Sequence, residues 1–330
     1  MSMLFSAAKV ASLDLKNRIV MSPMRTYSVQ KGDGVINPLH FAHYGARAVE
    51  QVGLVILEMT AVEPRGRTTE HDLGLWNDEQ GKELKRLVDF LHSLGTKVGI
   101  ELGHAGRKAK AEPVPVAPSL VEAYSDEYNE PSALSKPEIK RIQSAFVTAA
   151  KRAKQAGVDL IELQGAEGFF IDEFFSPLLN RRDDEYGVEL AGRYRFVQEI
   201  ITQIRDFYAG PLWVRLSLDD YAKEDEQNKL TEWQTIGRWL ERDGIDCLSI
   251  TTGGLFDKKP DHIYEGWQVP YATAMKKAVA LPIAVTGMLL DSKLCEYILE
   301  TKQADLILEA HVFDTNARWI VEAKKELYEK

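Results

Sequence analysis

The sequence predicts an α/β fold, a single (β/α)8 barrel that spans residues 1–330. Eight short apolar segments occur along the chain, and each is followed by a segment whose apolar residues recur with helical spacing. Strands that are apolar on both faces and alternate with helices indicate a parallel sheet that is covered on both sides. Eight such units favour a closed barrel over an open sheet. No shift in composition divides the chain, so we expect one domain.

The predicted elements follow one another in a regular order. An N-terminal hairpin is expected to cap the barrel before the first strand. A proline-rich stretch at 112–118 opens a long aperiodic loop after the third strand. A loop of that length inside a compact domain is usually functional, so we expect a lid or cap there. The predicted strands are residues 18–22, 54–58, 98–102, 160–163, 212–216, 247–250, 283–286 and 305–308.

Composition and charge exclude several classes of partner. The 330 residues carry 41 lysines and arginines against 50 aspartates and glutamates, a net charge of −9. Nucleic acids and anionic membranes attract basic surfaces, so neither is an expected partner. The chain shows no secretion-signal core and no apolar run long enough to span a bilayer. Cys247 and Cys295 are expected to be buried free thiols, and together these features predict a cytoplasmic protein.

The most informative stretch is residues 161–196. It begins as a short apolar strand and breaks into a loop at Gly165 and Gly168. It then passes through a Ser-Pro corner and a charged turn into a helix. In a barrel of such units the loops after the strands form the active face. We therefore expect the chemistry of this protein to lie in this stretch.

Residues 176–187, SPLLNRRDDEYG, and residues 193–196, RYRF, closely resemble the signature of the old yellow enzyme family. Members of that family are FMN-dependent oxidoreductases on a (β/α)8 TIM barrel. The resemblance covers nearly the whole chain, through LKNRIVMSPM at 15–24, HAGRKA at 104–109, VRLS at 214–217 and VTGM at 285–288. It implies FMN as cofactor, NADPH or NADH as electron donor, a small-molecule substrate, and a homo-oligomer that is a dimer or tetramer.

The same resemblance assigns residues to the cofactor. The opening strand and the residues after it match a segment whose backbone touches the flavin ring, and Arg215 matches an arginine beside flavin N1 and the C2 carbonyl. Gly287 matches the first half of the phosphate site, and Ala310 with His311 the second half. The cofactor-binding residues that the resemblance implies are Ser22, Pro23, Met24, Arg25, Met59, Glu101, Arg215, Gly287, Ala310 and His311.

The substrate side departs from the family pattern. Two polar residues at the end of strand four, usually two histidines or histidine and asparagine, hydrogen-bond the substrate carbonyl in the family, and a nearby tyrosine supplies a proton. Here the sequence has Gln164, Glu167 and Phe169. An amide can donate a hydrogen bond, whereas a glutamate donates only when a raised pKa keeps it protonated. The predicted catalytic residues are Gln164, Glu167 and Tyr27, which matches a substrate-contacting tyrosine of close relatives.

The cofactor side departs as well. Glu101 replaces a glutamine that donates to the flavin C2 carbonyl, and a carboxylate there opposes the negative charge of the reduced flavin. Glu309, Ala310 and His311 stand where the family has Gly-Arg after strand eight. Two or three lost charged hydrogen bonds, at roughly 1.5–3 kcal/mol each, weaken FMN binding by several orders of magnitude.

Three functions remain open from the sequence. The favoured one is an FMN-dependent NAD(P)H oxidoreductase that moves hydride from nicotinamide to flavin N5 and then to an unsaturated or other small organic acceptor. The second is a flavin-free, non-catalytic barrel that binds a metabolite or partner. The third is a flavin-free hydrolase or lyase that uses Glu101 and Glu167 as an acid–base pair.

Several of these residues have purely structural interpretations. Arg18 is expected to make hydrogen bonds at the bottom of the barrel, and Arg215 could pair with a carboxylate instead of a ligand. The charges of the turn at 180–186 are expected to pair locally. His40 and His43 lie three residues apart on a helical pattern but lack a clear third ligand, so no metal site is predicted.

Overall fold

Eight parallel strands close into a barrel in the computed structural model, which describes residues 2–111, 113–223, 226–258, 260–316 and 318–328. The predicted TIM barrel is therefore confirmed. Numbered in chain order, the strands of the described ranges are β1 Ala8–Val10, β2 Leu13–Leu15, β3 Ile19–Met21, β4 Leu54–Ala61, β5 Lys97–Gly103, β6 Val116–Ala117, β7 Ser132–Ala133, β8 Leu160–Gly165, β9 Leu212–Ser217, β10 Cys247–Thr251, β11 Ile283–Val285 and β12 Leu306–Glu309.

The barrel runs from β3 through β4, β5, β8, β9, β10, β11 and β12 and closes again on β3. Each predicted strand coincides with one barrel strand, with ends that differ by up to three residues. The largest difference is at β4, which continues past a bulge so that Thr60 and Ala61 pair with β5. This extension carries Met59 to the face of the barrel where the strands end.

Helices follow the strands as the periodicity predicts, and local side chains fix where they begin. Asn37 caps the first helix, with a proline in the first turn, and Asn77 with Gln80 forms a capping box on the second. The helices of the described ranges are α1 Pro38–Val49, α2 Asp78–Ser93, α3 Lys136–Ala156, α4 Phe170–Phe175, α5 Leu190–Arg205, α6 Leu230–Arg242, α7 Val269–Lys276, α8 Ser292–Glu300, α9 His311–Thr315 and α10 Trp319–Tyr328.

An apolar floor fills the lower interior of the barrel. The antiparallel hairpin of β1 and β2 packs its apolar residues against this floor, so the expected N-terminal cap is present. The floor consists of Val10, Leu13, Leu15, Val20, Leu54, Ile56, Leu160, Trp213, Cys247, Ala284, Leu306 and Leu308, all buried. The floor closes the amino-terminal end of the barrel.

A polar layer lies directly above the floor. Side chains two residues apart on a strand point the same way, so Glu162 follows Leu160, Arg215 follows Trp213 and Ser249 follows Cys247 toward the carboxyl ends. The register pairs Glu101 with Glu162 and Arg215 with Ser249 on neighbouring strands. Buried charges need partners, and this layer supplies them to one another.

The charged turn after α4 holds the long loop in place. Arg182 pairs with Asp184 at 2.6 Å, and its guanidinium also donates to the carbonyls of Pro118 and Leu134, both at 2.6 Å. These carbonyls flank the short parallel pair of β6 and β7. The prediction that the charges of this turn pair locally is confirmed, and the same arginine fastens the loop to the barrel.

Two further structural expectations are met, those for Arg18 and for the two cysteines. Arg18 donates to the Ser6 hydroxyl and to the Asp305 carbonyl at the barrel bottom. Cys247 and Cys295 are buried free thiols. Within the described ranges, no group of three or more histidines, cysteines, aspartates or glutamates is arranged to hold a metal ion. Nor does any helix of those ranges have the length and apolarity needed to cross a membrane.

Leu160→Ala should lower the free energy of unfolding by about 2–5 kcal/mol, because it opens a cavity in a fully buried floor. Denaturant unfolding followed by tryptophan fluorescence measures this change. Leu120→Ala is the matched control, since Leu120 is 77% exposed. Equal effects of the two substitutions would show that the floor does not carry the stability assigned to it.

Candidate active site

One cavity of about 420 Å³ lies where the barrel strands end. It brings together nine of the ten residues predicted to bind the cofactor, and two of the three predicted catalytic residues, Gln164 and Glu167, also line it. The nine are Ser22, Pro23, Met24, Arg25, Met59, Glu101, Arg215, Gly287 and Ala310. The tenth, His311, begins α9, and its side chain lies outside the described part of the structure.

Tyr27, the third predicted catalytic residue, is not among the residues that line the cavity. It is 47% exposed and has a φ of +51°. The Arg25 guanidinium lies 5.4 Å from the centre of its ring. Tyr27 therefore contacts a cavity residue, Arg25, without lining the cavity itself.

Arg215 is the centre of a buried ionic cluster. Its Nε atom lies 3.1 Å from Glu101 Oε1 and 3.4 Å from Glu162 Oε1, and its Nη1 atom lies 3.6 Å from Glu167 Oε1. Its Nη2 atom donates to the Ser22 hydroxyl at 2.9 Å. The alternative in which this arginine pairs with carboxylates is therefore the one observed.

Three carboxylates around one guanidinium leave a surplus of negative charge. Burial raises the pKa of Glu101 well above its usual range, Arg215 opposes this rise, and Glu162 and Glu167 add to it. The Ser249 hydroxyl donates to Glu162. A Glu101 that keeps its proton can donate a hydrogen bond, as the amide of a glutamine would.

Gln164 is held by hydrogen bonds at both ends of its amide. Its Nε2 donates to Glu101 Oε1 at 3.1 Å, and its Oε1 accepts from the Ala166 backbone N–H at 2.9 Å. A side-chain amide has two N–H donors. One donor is therefore left over from these contacts for a ligand in the cavity.

Glu167 has an unusual backbone conformation that the surrounding residues stabilise. Its φ is +58°, in the left-handed region that non-glycine residues rarely adopt. Lys108 Nζ donates to its carbonyl at 2.7 Å, and its N–H donates to the Ser217 hydroxyl at 2.9 Å. Burial lowers the pKa of Lys108 to about 8. The Glu167 side chain remains 39% exposed beside the cavity.

Phe169 forms an apolar wall next to Glu167. The Arg25 guanidinium and the Lys108 ammonium each lie 5.1 Å from the centre of its ring. Cations at this distance are attracted to an aromatic ring. The position that the sequence resemblance matches to a proton-donating tyrosine thus holds a buried ring that cannot donate a proton.

The wall formed by the loops after β10 and β11 carries buried polar atoms without partners. Gly287 has a φ of +128°, and a Cβ there would lie 3.0 Å from Trp267, so glycine is required. Trp267 Nε1 and Gln268 Oε1 are buried and, among the described residues, have no hydrogen-bond partner. An unused donor and an unused acceptor in a cavity wall suit a hydroxylated ligand.

Glu309 ends β12 and is 2% exposed in the same cavity. Its Oε1 accepts from the Leu289 backbone N–H at 2.7 Å. Burial raises the pKa of Glu309 to about 7, the Leu289 and Ala310 N–H groups oppose this rise, and Glu265 adds to it. A carboxyl group thus occupies the wall where the sequence resemblance placed half of a phosphate site.

Glu58 and Glu162 support the site and were missed from the sequence. Glu58 accepts from the Thr26 N–H at 3.0 Å, the Thr26 hydroxyl at 2.8 Å and the Tyr44 hydroxyl at 3.0 Å, and so anchors the segment after Arg25. Burial raises the pKa of Glu58 to about 7. A charged residue inside an apolar strand is a usable signal, because burying it requires partners.

Comparison with known proteins identifies the family. A family model described as the NADH:flavin oxidoreductase / NADH oxidase family matches residues 3–330. The chain belongs to this family. An NADPH dehydrogenase from Listeria welshimeri is 45% identical over 308 residues, which cover 93% of this chain and 90% of that protein. One from Listeria monocytogenes serotype 4b is 43% identical over 329 residues, covering 100% and 96%.

Solved structures share the barrel fold. Morphinone reductase matches with a TM-score of 0.84 at 24% identity, over 98% of this chain and 90% of that one. A 2-naphthoyl-CoA reductase complex matches with a TM-score of 0.92 at 22% identity, over 99% of this chain and 52% of that longer one. The predicted resemblance is confirmed, and the protein is an oxidoreductase of an FMN-binding family that uses a nicotinamide donor.

The residues of the cavity fit most of FMN. A protonated Glu101 suits the polar edge of the flavin ring, and the unpartnered atoms of Trp267 and Gln268 suit the hydroxyl groups of its side chain. The phosphate of FMN is the exception. At the part of the wall that the sequence resemblance matches to the phosphate site, the cavity is lined by the carboxyl group of Glu309.

Glu309→Gln should change how stability depends on pH. The pKa of Glu309 is raised from 4.5 to about 7, so its favourable contribution is complete below pH 4.5 and is lost as pH rises through 7. The amide of the variant does not titrate. The variant should gain up to roughly 3 kcal/mol relative to the natural protein between about pH 4.5 and pH 8.

Denaturant unfolding at a series of pH values measures this difference. Glu300→Gln, at the exposed end of α8, is the control and should show no comparable dependence. A constant difference between the Glu309 variant and the natural protein would contradict the assigned pKa.

Proposed function

We propose that this protein is a flavin-dependent NADPH oxidoreductase of the old yellow enzyme type that reduces a small organic acceptor bound beside Gln164 and Glu167. The observation that carries the proposal is the single cavity that collects nine predicted cofactor residues together with these two side chains. The relatives named NADPH dehydrogenase favour NADPH as the donor. The expected homo-oligomer, a dimer or tetramer, is part of the same proposal.

Bound FMN supplies hydride transfer between the nicotinamide and the acceptor. Gln164 contributes its free N–H to an acceptor oxygen, and its link to Glu101 fixes the direction of that N–H. Ser22 and Arg215 join the first and fifth barrel strands through a 2.9 Å hydrogen bond beneath the cavity. These contacts prepare a rigid surface on which a planar ring and a small acceptor can be held.

The proton for the acceptor requires a separate source, because Phe169 cannot supply it. Glu167 lines the cavity and is partly exposed, so it can exchange protons with solvent. Lys108 and Ser217 hold its backbone in place. We assign Glu167 the role of passing the proton from solvent to the acceptor.

Protein mixed with FMN and desalted should retain the visible absorption bands of flavin, and anaerobic NADPH should bleach them. The cavity provides contacts for the ring and for the side chain of the cofactor. Reduction of the bound flavin by NADPH needs no organic acceptor, so it can be measured by itself. Protein that stays colourless after this treatment, while circular dichroism shows it folded, would contradict the proposal. That result would favour the flavin-free binding protein.

Glu167→Gln should slow the reoxidation of reduced enzyme by an unsaturated ketone by about 10²-fold, because the relay of the proton is lost. Reduction by NADPH should fall much less. Stopped-flow measurement of the two half-reactions separates these effects. Glu127→Gln serves as a control, since the Glu127 side chain is 82% exposed on the long loop. An equal loss of rate in both half-reactions would show that Glu167 does not relay the proton.

A further inference from the structure

The loops after the last two barrel strands are the usual phosphate site of such barrels. In this protein they follow β11 and β12. Glu309 is the last residue of β12, and its carboxylate accepts the Leu289 backbone N–H of the preceding loop at 2.7 Å. A backbone donor that could serve a phosphate is therefore already bound to a side chain of the protein.

The charges around Glu309 also disfavour a phosphate. Glu265 adds a second negative charge to its surroundings. None of the ion pairs found in the described part of the chain joins Glu309 to a lysine or arginine. The two arginines of the cavity wall are engaged elsewhere, Arg25 with Thr68 at 2.5 Å and Arg215 with its carboxylates. A phosphate ester carries a charge of about −1.5 to −2 at pH 7 and would be repelled here.

A hydroxyl group, unlike a phosphate, is neutral and can donate a hydrogen bond to Glu309. A carboxylate accepts hydrogen bonds from hydroxyl donors, so Glu309 can bind a neutral chain end that donates to it. Riboflavin has a hydroxyl group where FMN carries its phosphate, and the two ligands are otherwise the same. The unpartnered atoms of Trp267 and Gln268 lie in the same wall and suit the rest of a hydroxylated chain.

We propose that Glu309 is a specificity residue that makes this cavity bind riboflavin at least about as tightly as FMN. The inference rests on the proposed function, because it requires that the cavity bind a flavin. The inference concerns only the terminal group of the flavin side chain, which is a hydroxyl group in riboflavin and a phosphate in FMN. The contacts at Arg215 and Glu101 serve both ligands alike, so the ratio of the two affinities isolates the contribution of Glu309.

Fluorescence quenching of free flavin on titration with flavin-stripped protein measures both affinities. The natural protein should bind FMN no more than about threefold tighter than riboflavin. Glu309→Gln removes the negative charge and keeps the shape of the side chain. It should tighten FMN binding by about tenfold and change riboflavin binding by less than about twofold. Glu300→Gln should leave both affinities as they are, and His311 is unchanged in every protein compared.

The outcomes separate this inference from the proposed function. Natural protein that binds FMN more than about threefold tighter than riboflavin would overturn the role of Glu309 and leave the flavin enzyme intact. Equal tightening of both ligands in Glu309→Gln would also overturn it, because the effect would then not concern the phosphate. Failure of the folded natural protein to bind either flavin would remove the proposed function itself.

Discussion

The burial of the Arg215 guanidinium inside the barrel is the constraint on which the active face depends. A buried charge is stable only with partners, and three other strands of the barrel and their ends provide Glu101, Glu162 and Ser22 at 2.9–3.4 Å. The orientation of Gln164 follows from this cluster, because its amide is bound to Glu101. The floor of the cavity is thus an ionic network rather than an apolar surface, and a ligand meets groups whose positions are already fixed.

Departures from the family pattern are concentrated in polar groups that face the cavity. The apolar floor is buried and the barrel is closed. In contrast, the residues at 101, 164, 167 and 309 place carboxyl groups and an amide around one space. Each carboxyl group brought there is buried or partnered by the protein itself, so the barrel tolerates them. A ligand in the cavity therefore lies against an acidic wall.

The sequence predicted the fold almost completely, because apolar strands and periodic helices are local signals. Strand ends were less accurate, as at β4, where pairing of Thr60 and Ala61 with β5 is decided by a distant segment. The cavity was found through motifs after individual strands. The pairing of side chains inside it could be predicted only in part: pairing of Arg215 with a carboxylate was an open alternative, but nothing in the sequence indicated that Glu162 takes part. Trp267 and Gln268 lie in an aperiodic loop, and nothing local indicates that they line the site.

The closed floor of the barrel determines from which end ligands enter and leave the cavity. The hairpin of β1 and β2 and the packed side chains above it seal the amino-terminal end, and the cavity lies where the strands end. A nicotinamide donor and an organic acceptor that react at the same flavin ring must then both reach it from the carboxyl-terminal end of the barrel. Under the proposed function, the acceptor would bind only after the donor has left, and the flavin would hold the two electrons of the donor in the interval.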